Sequence, residues 1–313
     1  MRTLNRESKL LGTVFAISGR EQYKGQGVER VGLRKIVTII ALMLTAFASE
    51  ASAQDCKKIH SLPYIINVAG HYCVSEDLST SISSTTGAAI EIRADNVLLD
   101  LGGFTLTYIP PDPTAVLRGI RTVGVRRSVT VRNGTIKGFI LAGVYLGSEV
   151  DNAGNLVEDL RVQDCVGLGI GVWGKGNIVR DNHVVNTVGN AFFSGASAIG
   201  AFGSDNMVIN NDLIGTTSAV SDDASASTGI LFNACNQCVA EKNRIVDTES
   251  PNPNSARAIH VLNGSDVLVV NNRIIKSVFG IVFGITASGL YRDNIANACT
   301  VPYSGGTNLG NNQ

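Results

Sequence analysis

The sequence predicts an all-β chain that winds into a parallel solenoid of about eight coils. Two observations carry this prediction. A sequence motif recurs over residues 90–298, with a period of twenty-odd residues and insertions at one point per copy. The motif consists of a small residue, an aliphatic strand, a turn and an asparagine. No stretch keeps apolar residues at the i, i+3, i+4 spacing that a helix needs, whereas short segments rich in Val and Ile alternate in side as strands do.

The N-terminal segment, residues 1–53, is predicted to contain a secretory signal. Arg34 and Lys35 precede an apolar run over 36–48, and residues 51–53 (Ala-Ser-Ala) form a small-x-small cleavage pattern. The run is shorter than the roughly 20 residues of a membrane span, and a short buried helix is the alternative. Because the residues before the basic pair fit no signal design, we predict that translation starts near Val31.

Composition excludes several classes of protein. Of the 313 residues 44% are apolar and 17% charged, which argues against disorder, and 34 glycines beside 7 prolines without a three-residue period exclude collagen. After removal of residues 1–53 the chain keeps 26 − 8 = 18 basic and 26 − 4 = 22 acidic residues. A mildly acidic chain gives no reason to expect a nucleic-acid partner, because such binders concentrate positive charge.

All six cysteines lie in the predicted exported part, where disulfides persist. Cys56 and Cys73 flank a short segment and are the predicted pair. Cys235 and Cys238 form a CxxC motif, which near a βαβ pattern would indicate redox chemistry and beside a second such motif a zinc site. Neither context is present, so we predict a local disulfide or two packed thiols.

One position in each copy of the repeat is predicted to form a turn. The equivalent residues are Gly134, Leu160, Asn182, Asn211, Asn243, Asn272 and Asn294. Asparagine tolerates the left-handed conformation and its amide bonds to neighbours, so one per coil at the same bend predicts a ladder along the axis. Gly134 fits that conformation equally well, whereas Leu160 does not and is expected to be a flaw.

Three segments resemble a known architecture: DCKKIHSLPYIINVAGHYCVSEDLST from Asp55, ADNVLLDLGGFTL from Ala94, and the repeats with NN or DN turns. The chain resembles the right-handed parallel β-helix proteins of pectin-lyase-like architecture, and more closely a bacterial secreted group of unassigned function. The resemblance implies a right-handed coil and a cap at the first segment. It leaves activity open, since the same coil serves lyases, hydrolases, epimerases, adhesins and phage spikes.

On this basis the chain divides into four parts. They are the N-terminal extension and signal (1–53), an N-terminal cap (54–89), the β-helix (90–298) and a polar C-terminal cap or tail (299–313).

Side-chain alternation in the strand that opens each coil predicts two outward columns. The first is Arg121, Tyr145, Gly171, Gly200, Leu231, His260 and Val282. The second is Val123, Gly147, Trp173, Phe202, Asn233, Leu262 and Gly284. Tyr145, Trp173 and Phe202 fall on consecutive coils about 5 Å apart, beside glycines that would leave the ring faces uncovered, which predicts a sugar-stacking platform. The alternative is that loops cover these rings.

Insertions at about 186–197, 215–228 and 247–257 are predicted to wall a groove over this face, as the resemblance implies. They would bring several charged residues near His260, namely Asp222, Asp223, Asp247, Glu249 and Arg257. Two carboxylates would serve acid/base hydrolysis and several would hold Ca²⁺ for a lyase. Hydrolases of this fold carry Asn-Thr-Asp, Asp-Asp, Gly-His-Gly and Arg-x-Lys; only Asp222-Asp223 matches, and Arg273 to Lys276 is one residue too long. The alternative is that these acidic residues are solvent-exposed loop residues with no role in catalysis or binding.

Two further sets of polar residues are candidates for ligand binding. The first comprises Arg118, Arg121, Arg126, Arg127 and Arg132, which occur without an intervening acid and would attract uronate or sulfate, with a solvated patch as the alternative. The second comprises His60, His71, His183 and His260, which are too scattered for a metal centre. No cofactor is predicted, and Ca²⁺ lacks a definite ligand set.

We therefore predict a secreted or periplasmic protein that binds, and in one version cleaves, an extracellular or cell-envelope polysaccharide. The predicted substrate-binding residues are Tyr145, Trp173, Phe202, Arg121, His260, Asp222 and Asp223. A non-enzymatic surface or structural β-helix is the alternative, and metal delivery a third. No membrane span is expected after processing, and the sequence leaves the catalytic residues and the oligomeric state open.

Overall fold

The structure is a computed structural model that describes residues 56–111, 114–147, 151–191, 193–219, 226–252 and 254–313. The predicted signal segment, Asp222 and Asp223 lie outside these ranges. All regular structure within them is β-strand. Over the same ranges, no helix has the length and apolar character needed to cross a membrane.

The strands are short at first and lengthen toward the C-terminus. The first eight are β1 (Lys57–Ile59), β2 (Tyr64–Ile66), β3 (Gly70–Val74), β4 (Leu78–Thr80), β5 (Ala88–Ile92), β6 (Val97–Asp100), β7 (Thr105–Tyr108) and β8 (Arg118–Thr122). The next eight are β9 (Val129–Lys137), β10 (Ile140–Leu146), β11 (Leu156–Gln163), β12 (Val166–Trp173), β13 (Ile178–Arg180), β14 (His183–Val188), β15 (Ala196–Phe202) and β16 (Met207–Ile209). The last eight are β17 (Asp212–Thr217), β18 (Ser227–Asn233), β19 (Val239–Glu241), β20 (Arg244–Glu249), β21 (Ala256–Val270), β22 (Arg273–Arg292), β23 (Ile295–Ser304) and β24 (Thr307–Asn308).

These strands pair in parallel and form three ladders, one along each face of the solenoid. The first ladder runs through β5, β8, β10, β12, β15, β18, the opening part of β21 and residues 279–283 in the middle of β22. The second contains β6 and the third β7, each followed by its equivalents in later coils. The winding is right-handed. The predicted all-β, right-handed parallel β-helix is therefore confirmed.

Alternation within the strands fills the interior with aliphatic side chains. In one coil Ile90, Leu99 and Leu106, from the three faces, are all fully buried. The matching residues of later coils stack above them, as Ile90 pairs with Ile120 and Leu99 with Val131. Because every coil places apolar residues at the same positions, the core runs continuously along the axis.

The N-terminal segment stacks on this core through the same ladders. Strand β2 pairs with β5, β3 with β6, and β4 with β7, all in parallel. The predicted disulfide between Cys56 and Cys73 is present and ties the start of the segment to β3. The division at residues 89 and 298 stays a prediction, since the strands pass from one predicted part to the next in register.

The predicted asparagine ladder is present and almost fully buried. Each backbone N–H donates to the Oδ1 of the next asparagine, at 3.1 Å from Asn182 to Asn211 and 3.0 Å from Asn211 to Asn243. Each Nδ2 also donates to that Oδ1, at 3.0 Å in both pairs. The same pattern continues through Asn272 and Asn294 to Asn312 at the C-terminus. The ladder thus satisfies buried backbone donors at one corner of every coil.

The expected reason for asparagine at this corner is wrong in one respect. The left-handed residue is the one before each ladder position, with φ of 58° at Asp181 and 54° at Asn210. The ladder residue itself follows that bend and points inward. Its selection therefore rests on hydrogen bonding, because the amide carries both a donor and an acceptor.

The first two positions of the series also fit the register. Gly134 lies opposite Leu160, and a side chain at Gly134 would overlap Leu101, so glycine is required there by close packing. Leu160 is buried, and its N–H donates to Asn182 Oδ1 at 3.1 Å. Leu160 is therefore the last residue that donates to the ladder, and its aliphatic side chain cannot extend the ladder further.

A second, shorter ladder was not predicted. Asn155, Asn177 and Asn206 are buried where the chain enters the second face, and the N–H of Asn155 donates to Asn177 Oδ1 and that of Asn177 to Asn206 Oδ1. Met207 pairs with Val239, so Cys238 takes the equivalent place in the next coil. Cys238 is disulfide-bonded to Cys235, which confirms the local disulfide predicted for the CxxC motif.

Candidate functional site

The outward residues of the first ladder align as predicted. Tyr145 lies between Arg121 and Gly171, and Gly200 between Gly171 and Leu231. His260 follows opposite Leu231 and is itself opposite Val282. In the second column Trp173 is opposite Phe202, and Phe202 is opposite Asn233.

Three aromatic rings from consecutive coils form a continuous stack on this face, here called the ring stack (Tyr145, Trp173 and Phe202). The centroids of Tyr145 and Trp173 are 4.3 Å apart with planes inclined at 38°. Those of Trp173 and Phe202 are 4.2 Å apart with planes at 9°. All three side chains are half-buried.

The ring faces are turned toward one another, contrary to the expectation of uncovered faces. Parallel rings only 4.2 Å apart cannot lie side by side in one plane, so Trp173 and Phe202 overlap face to face. Trp173 is covered on both sides, and its outer edge remains accessible. On the side away from Trp173, Phe202 is opposite Asn233 of the next coil, and no other described ring stacks there.

Two glycines allow the rings to lie close to the strand. A Cβ at Gly171 would approach the Trp173 ring to 2.6 Å, and one at Gly200 would approach the Phe202 ring to 2.8 Å. Both contacts are shorter than real Cβ atoms make, so any side chain at these positions would displace a ring. The glycines of the first column therefore leave the space that the Trp173 and Phe202 rings of the second column occupy.

A cavity of about 460 Å³ lies beside the ring stack and is lined by Trp173, Phe202 and Asn233, which come from three consecutive coils. Its polar lining includes Lys175, Ser204 and Asn233. Asn233 Oδ1 accepts a hydrogen bond of 3.0 Å from Asn263 Nδ2, which extends the column with a second amide. The residue of the next coil that contacts Asn233 is therefore Asn263, one position beyond the predicted Leu262.

At the other end of the ring stack, the Arg118 guanidinium lies over the Tyr145 ring, 4.9 Å from its centroid. Burial lowers the pKa of Arg118, and the charge of Arg121 lowers it further. Arg118 Nη1 donates to the backbone oxygen of Thr85 at 2.9 Å. This cation–π contact gives the aromatic row a positively charged end.

Most of the predicted basic patch is neutralised by acids from the preceding coil. Arg121 Nη2 lies 2.9 Å from Glu91 Oε1, and Arg93 holds the other oxygen of Glu91 at 2.7 Å. Arg132 Nε lies 3.0 Å from Asp100 Oδ2. No acidic residue separates these arginines in the sequence, but in the folded protein acids of the preceding coil lie next to them.

Asp100 illustrates how these acids are held. Burial alone would raise the pKa of its carboxyl, but hydrogen bonds from the Gly102 N–H, from Asn133 and from Arg132 outweigh that effect. The pKa of Asp100 therefore lies below its ordinary value. The carboxylate is fixed in the charged form as the partner of Arg132.

His260 lies on the first ladder as a neutral side chain. Burial lowers the pKa of its imidazole to about 4, and the nearby positive charge of Arg257 acts in the same direction. Its cross-strand neighbours Leu231 and Val282 are apolar. A neutral imidazole here offers one donor and one acceptor at neutral pH.

The acids predicted near His260 are differently engaged. Asp247 and Glu249 lie on β20 of the third ladder, where both bind Lys276 Nζ, at 3.2 Å and 2.6 Å. Among the paired residues of the first ladder that the structure describes, Glu91 is the single carboxylate. The described residues thus place no pair of carboxylates on the ring-stack face. Asp222 and Asp223 stay predictions, because they fall outside the described ranges.

His183 lies on the third face, apart from His260. Its Nδ1 is 3.0 Å from Asp212 Oδ2, and Arg244 Nη1 is 2.6 Å from Asp212 Oδ1. Within the described ranges, no three His, Cys, Asp or Glu side chains come close enough to hold a metal ion.

Comparison with known proteins identifies the same architecture. Residues 118–301 match the family model described as the right handed beta helix region. The Dettilon tailspike protein gp208 aligns with a TM-score of 0.54 and 14% identity over 82% of this chain and 58% of its own. PfbA, a surface adhesin of Streptococcus pneumoniae, aligns with a TM-score of 0.53 and 13% identity over 75% of this chain and 62% of its own.

The chain therefore spans less than two thirds of either solved structure. A search of curated protein sequences finds no match.

Proposed function

The chain belongs to the right handed beta helix family, and from that premise we propose that it binds a polysaccharide along the first ladder. The observation that carries the proposal is the ring stack together with the cavity beside it. Trp173 and Phe202 line that cavity along with the polar residues Lys175 and Asn233. An apolar ring beside convergent polar groups is the usual composition of a small-molecule site.

The polar column next to Phe202 supports a sugar in particular. Asn233 and Asn263 present amides on consecutive coils, about 5 Å apart by strand spacing. Amides donate and accept, as hydroxyl groups do, so they match a ligand that repeats hydroxyls at similar spacing. An extended glycan lying along the axis would meet one coil after another. The two solved proteins of this fold bear names of surface-acting proteins, a tailspike and an adhesin, which accords with a binding role.

Binding without cleavage is the version that the described residues favour. Glycoside hydrolysis uses two carboxyl groups that flank the bond. The described part of the first ladder offers Glu91, which two arginines already hold. A non-enzymatic surface protein is thus the second candidate, and product analysis after incubation with any bound glycan separates it from an enzyme.

The test uses Trp173, the only tryptophan of the chain, as an internal reporter. Purified protein is screened on a glycan array, and hits are titrated while Trp173 emission is followed. Phe202→Ala should weaken the best hit about thirtyfold, because loss of a central aromatic contact costs on the order of 2 kcal/mol. Phe279→Ala is the matched control, a half-buried phenylalanine on the same ladder outside the ring stack. The proposal fails if no glycan is retained, or if both variants bind like the wild type.

The protein is further proposed to be exported, either secreted or periplasmic. Two disulfides, Cys56–Cys73 and Cys235–Cys238, support an oxidising compartment. N-terminal sequencing of protein from culture medium and periplasm should begin at Gln54. A mature chain that contains peptides from residues 1–30 would contradict both the signal and the start near Val31.

A further inference from the structure

We infer that the N-terminal end of the ring stack binds an anionic group of the glycan, a carboxylate or a sulfate, through Arg118. This inference rests on the proposed function and narrows it to acidic polysaccharides. Three observations support it: a small cavity, a guanidinium that pairs with no described carboxylate, and the continuity of both with the ring stack.

Among the described arginines of this region, Arg118 is the one that is half-buried and without an ion pair; Arg127, which also lacks one, is exposed. Glu91 holds Arg93 and Arg121, whereas Arg118 forms no ion pair with any described carboxylate. Its Nε is buried and has no hydrogen-bond partner. A buried donor without an acceptor is unfavourable, and a planar guanidinium matches the two oxygens of a carboxylate or sulfate.

The cavity around Arg118 is rich in donors. It measures about 240 Å³ and is lined by Thr85, Thr86, Arg121, Gly124 and Tyr145 in addition to Arg118. With Thr122, the lining contains three threonine hydroxyls, the Tyr145 hydroxyl and two guanidinium groups, and no carboxylate belongs to it. An anion would therefore find hydrogen-bond donors without displacing a negative side chain. It would also relieve the repulsion between Arg118 and Arg121.

The same cavity is joined to the proposed sugar site. Arg118 covers Tyr145, Tyr145 contacts Trp173, and Trp173 stacks on Phe202. Three coil steps separate the two ends, which is about 15 Å at the spacing of neighbouring strands. One oligosaccharide running along the axis would place an acidic group at Arg118 and a sugar ring at Phe202.

The first experiment compares acidic glycans with their neutralised forms. Wild-type protein is titrated with oligogalacturonate and with the same oligomer after carboxyl reduction, and with chondroitin sulfate before and after desulfation. The acidic form should bind more tightly in at least one pair, and that pair identifies carboxylate or sulfate as the group. Equal binding of the charged and neutral forms in both pairs would overturn the inference.

The second experiment removes the guanidinium. Arg118→Gln should weaken the acidic glycan about 10- to 100-fold, the cost of a lost hydrogen bond to a charged group, and leave the neutral form unchanged. Arg118→Lys keeps the charge without the fork and should fall between. Arg127→Gln is the matched control, since it removes an equal charge from an exposed arginine of the same coil. Equal losses in Arg118→Gln and Arg127→Gln would show a diffuse charge effect and refute the site.

A third measurement keeps the two proposals distinguishable. Melting temperatures are recorded in sodium sulfate and in sodium chloride at equal ionic strength. Sulfate stabilises any fold more than chloride does, because it is excluded from protein surfaces. The measured quantity is therefore the sulfate-minus-chloride shift in melting temperature, which should be equal in the wild type and Arg127→Gln and smaller in Arg118→Gln. If no glycan binds but Arg118→Gln shows the smaller shift, the glycan proposal fails and the anion site stands. If the shift in Arg118→Gln equals that of the wild type, the anion site is refuted.

Discussion

Replacement of Asn211 by alanine tests the stacking that holds the coils together. The side chain accepts from the Asn182 N–H at 3.1 Å and donates to the Val179 and Asn243 oxygens at 3.0 Å each. Alanine leaves the Asn182 N–H without an acceptor in a buried position, which costs about 1–3 kcal/mol. The missing amide also leaves a small cavity worth roughly 1 kcal/mol. The expected loss is therefore about 2–4 kcal/mol in the free energy of unfolding.

Equilibrium urea unfolding followed by circular dichroism measures this loss, with Asn210→Gly as the matched control. Asn210 is exposed and left-handed, with φ of 54°, and glycine keeps that conformation while removing one hydrogen bond to Asp181. The control should change stability by about 0.5 kcal/mol. Asn312→Ala, at the end of the ladder, should fall between the two, since water reaches that position. Equal losses from Asn211→Ala and Asn210→Gly would refute the ladder as a source of stability.

Three further outcomes are expected from single residues. Burial holds the pKa of His260 near 4, so the imidazole stays neutral in the folded protein. The free energy of unfolding of the wild type, relative to His260→Leu, should be constant above about pH 6.5 and fall toward pH 4, because the unfolded chain takes up a proton in that range. A stability difference between the two proteins that does not change with pH would contradict this. Burial raises the pKa of the Cys165 thiol to about 12, so native protein should leave it unmodified by iodoacetamide at pH 8, whereas denatured protein exposes it; rapid native alkylation at Cys165 would contradict its burial. Gly200→Ala should displace the Phe202 ring and shift Trp173 emission. Gly154→Ala is the control: its Cβ meets no atom, so it strains the left-handed backbone (φ 62°) without touching a ring, and Trp173 emission should stay unchanged. Unchanged emission in Gly200→Ala would refute the close packing.

The sequence was sufficient to predict the fold and the alignment of distant residues. Strand alternation and the recurrent sequence motif correctly predicted that His260 lies opposite Leu231 and Trp173 opposite Phe202, because a solenoid repeats the same register in every coil. The shorter ladder at Asn155 was missed although a signal exists. Each of its asparagines immediately precedes the strand that opens the second face.

The orientation of side chains could not be predicted in the same way. Placing Trp173 and Phe202 on neighbouring coils leaves open whether their faces point outward or toward each other, since that depends on rotamers and on the glycine backbone beneath. The bounds of the insertions posed a different difficulty. The predicted insertion 247–257 begins inside β20, so Asp247 and Glu249 belong to the regular third ladder and bind Lys276 there.

Charge compensation in this fold is decided by the residue one coil away. Arg121 lies opposite Glu91 and is neutralised by it, and Arg132 lies opposite Asp100 with the same result. Arg118 lies opposite Ala88, which offers only a methyl group. That Arg118 has no ion pair with a described carboxylate is thus a consequence of register, because an arginine stays uncompensated where the preceding coil places no acid opposite it. If Arg118 binds an anion as proposed, the register that stabilises the solenoid also determines where that ligand binds.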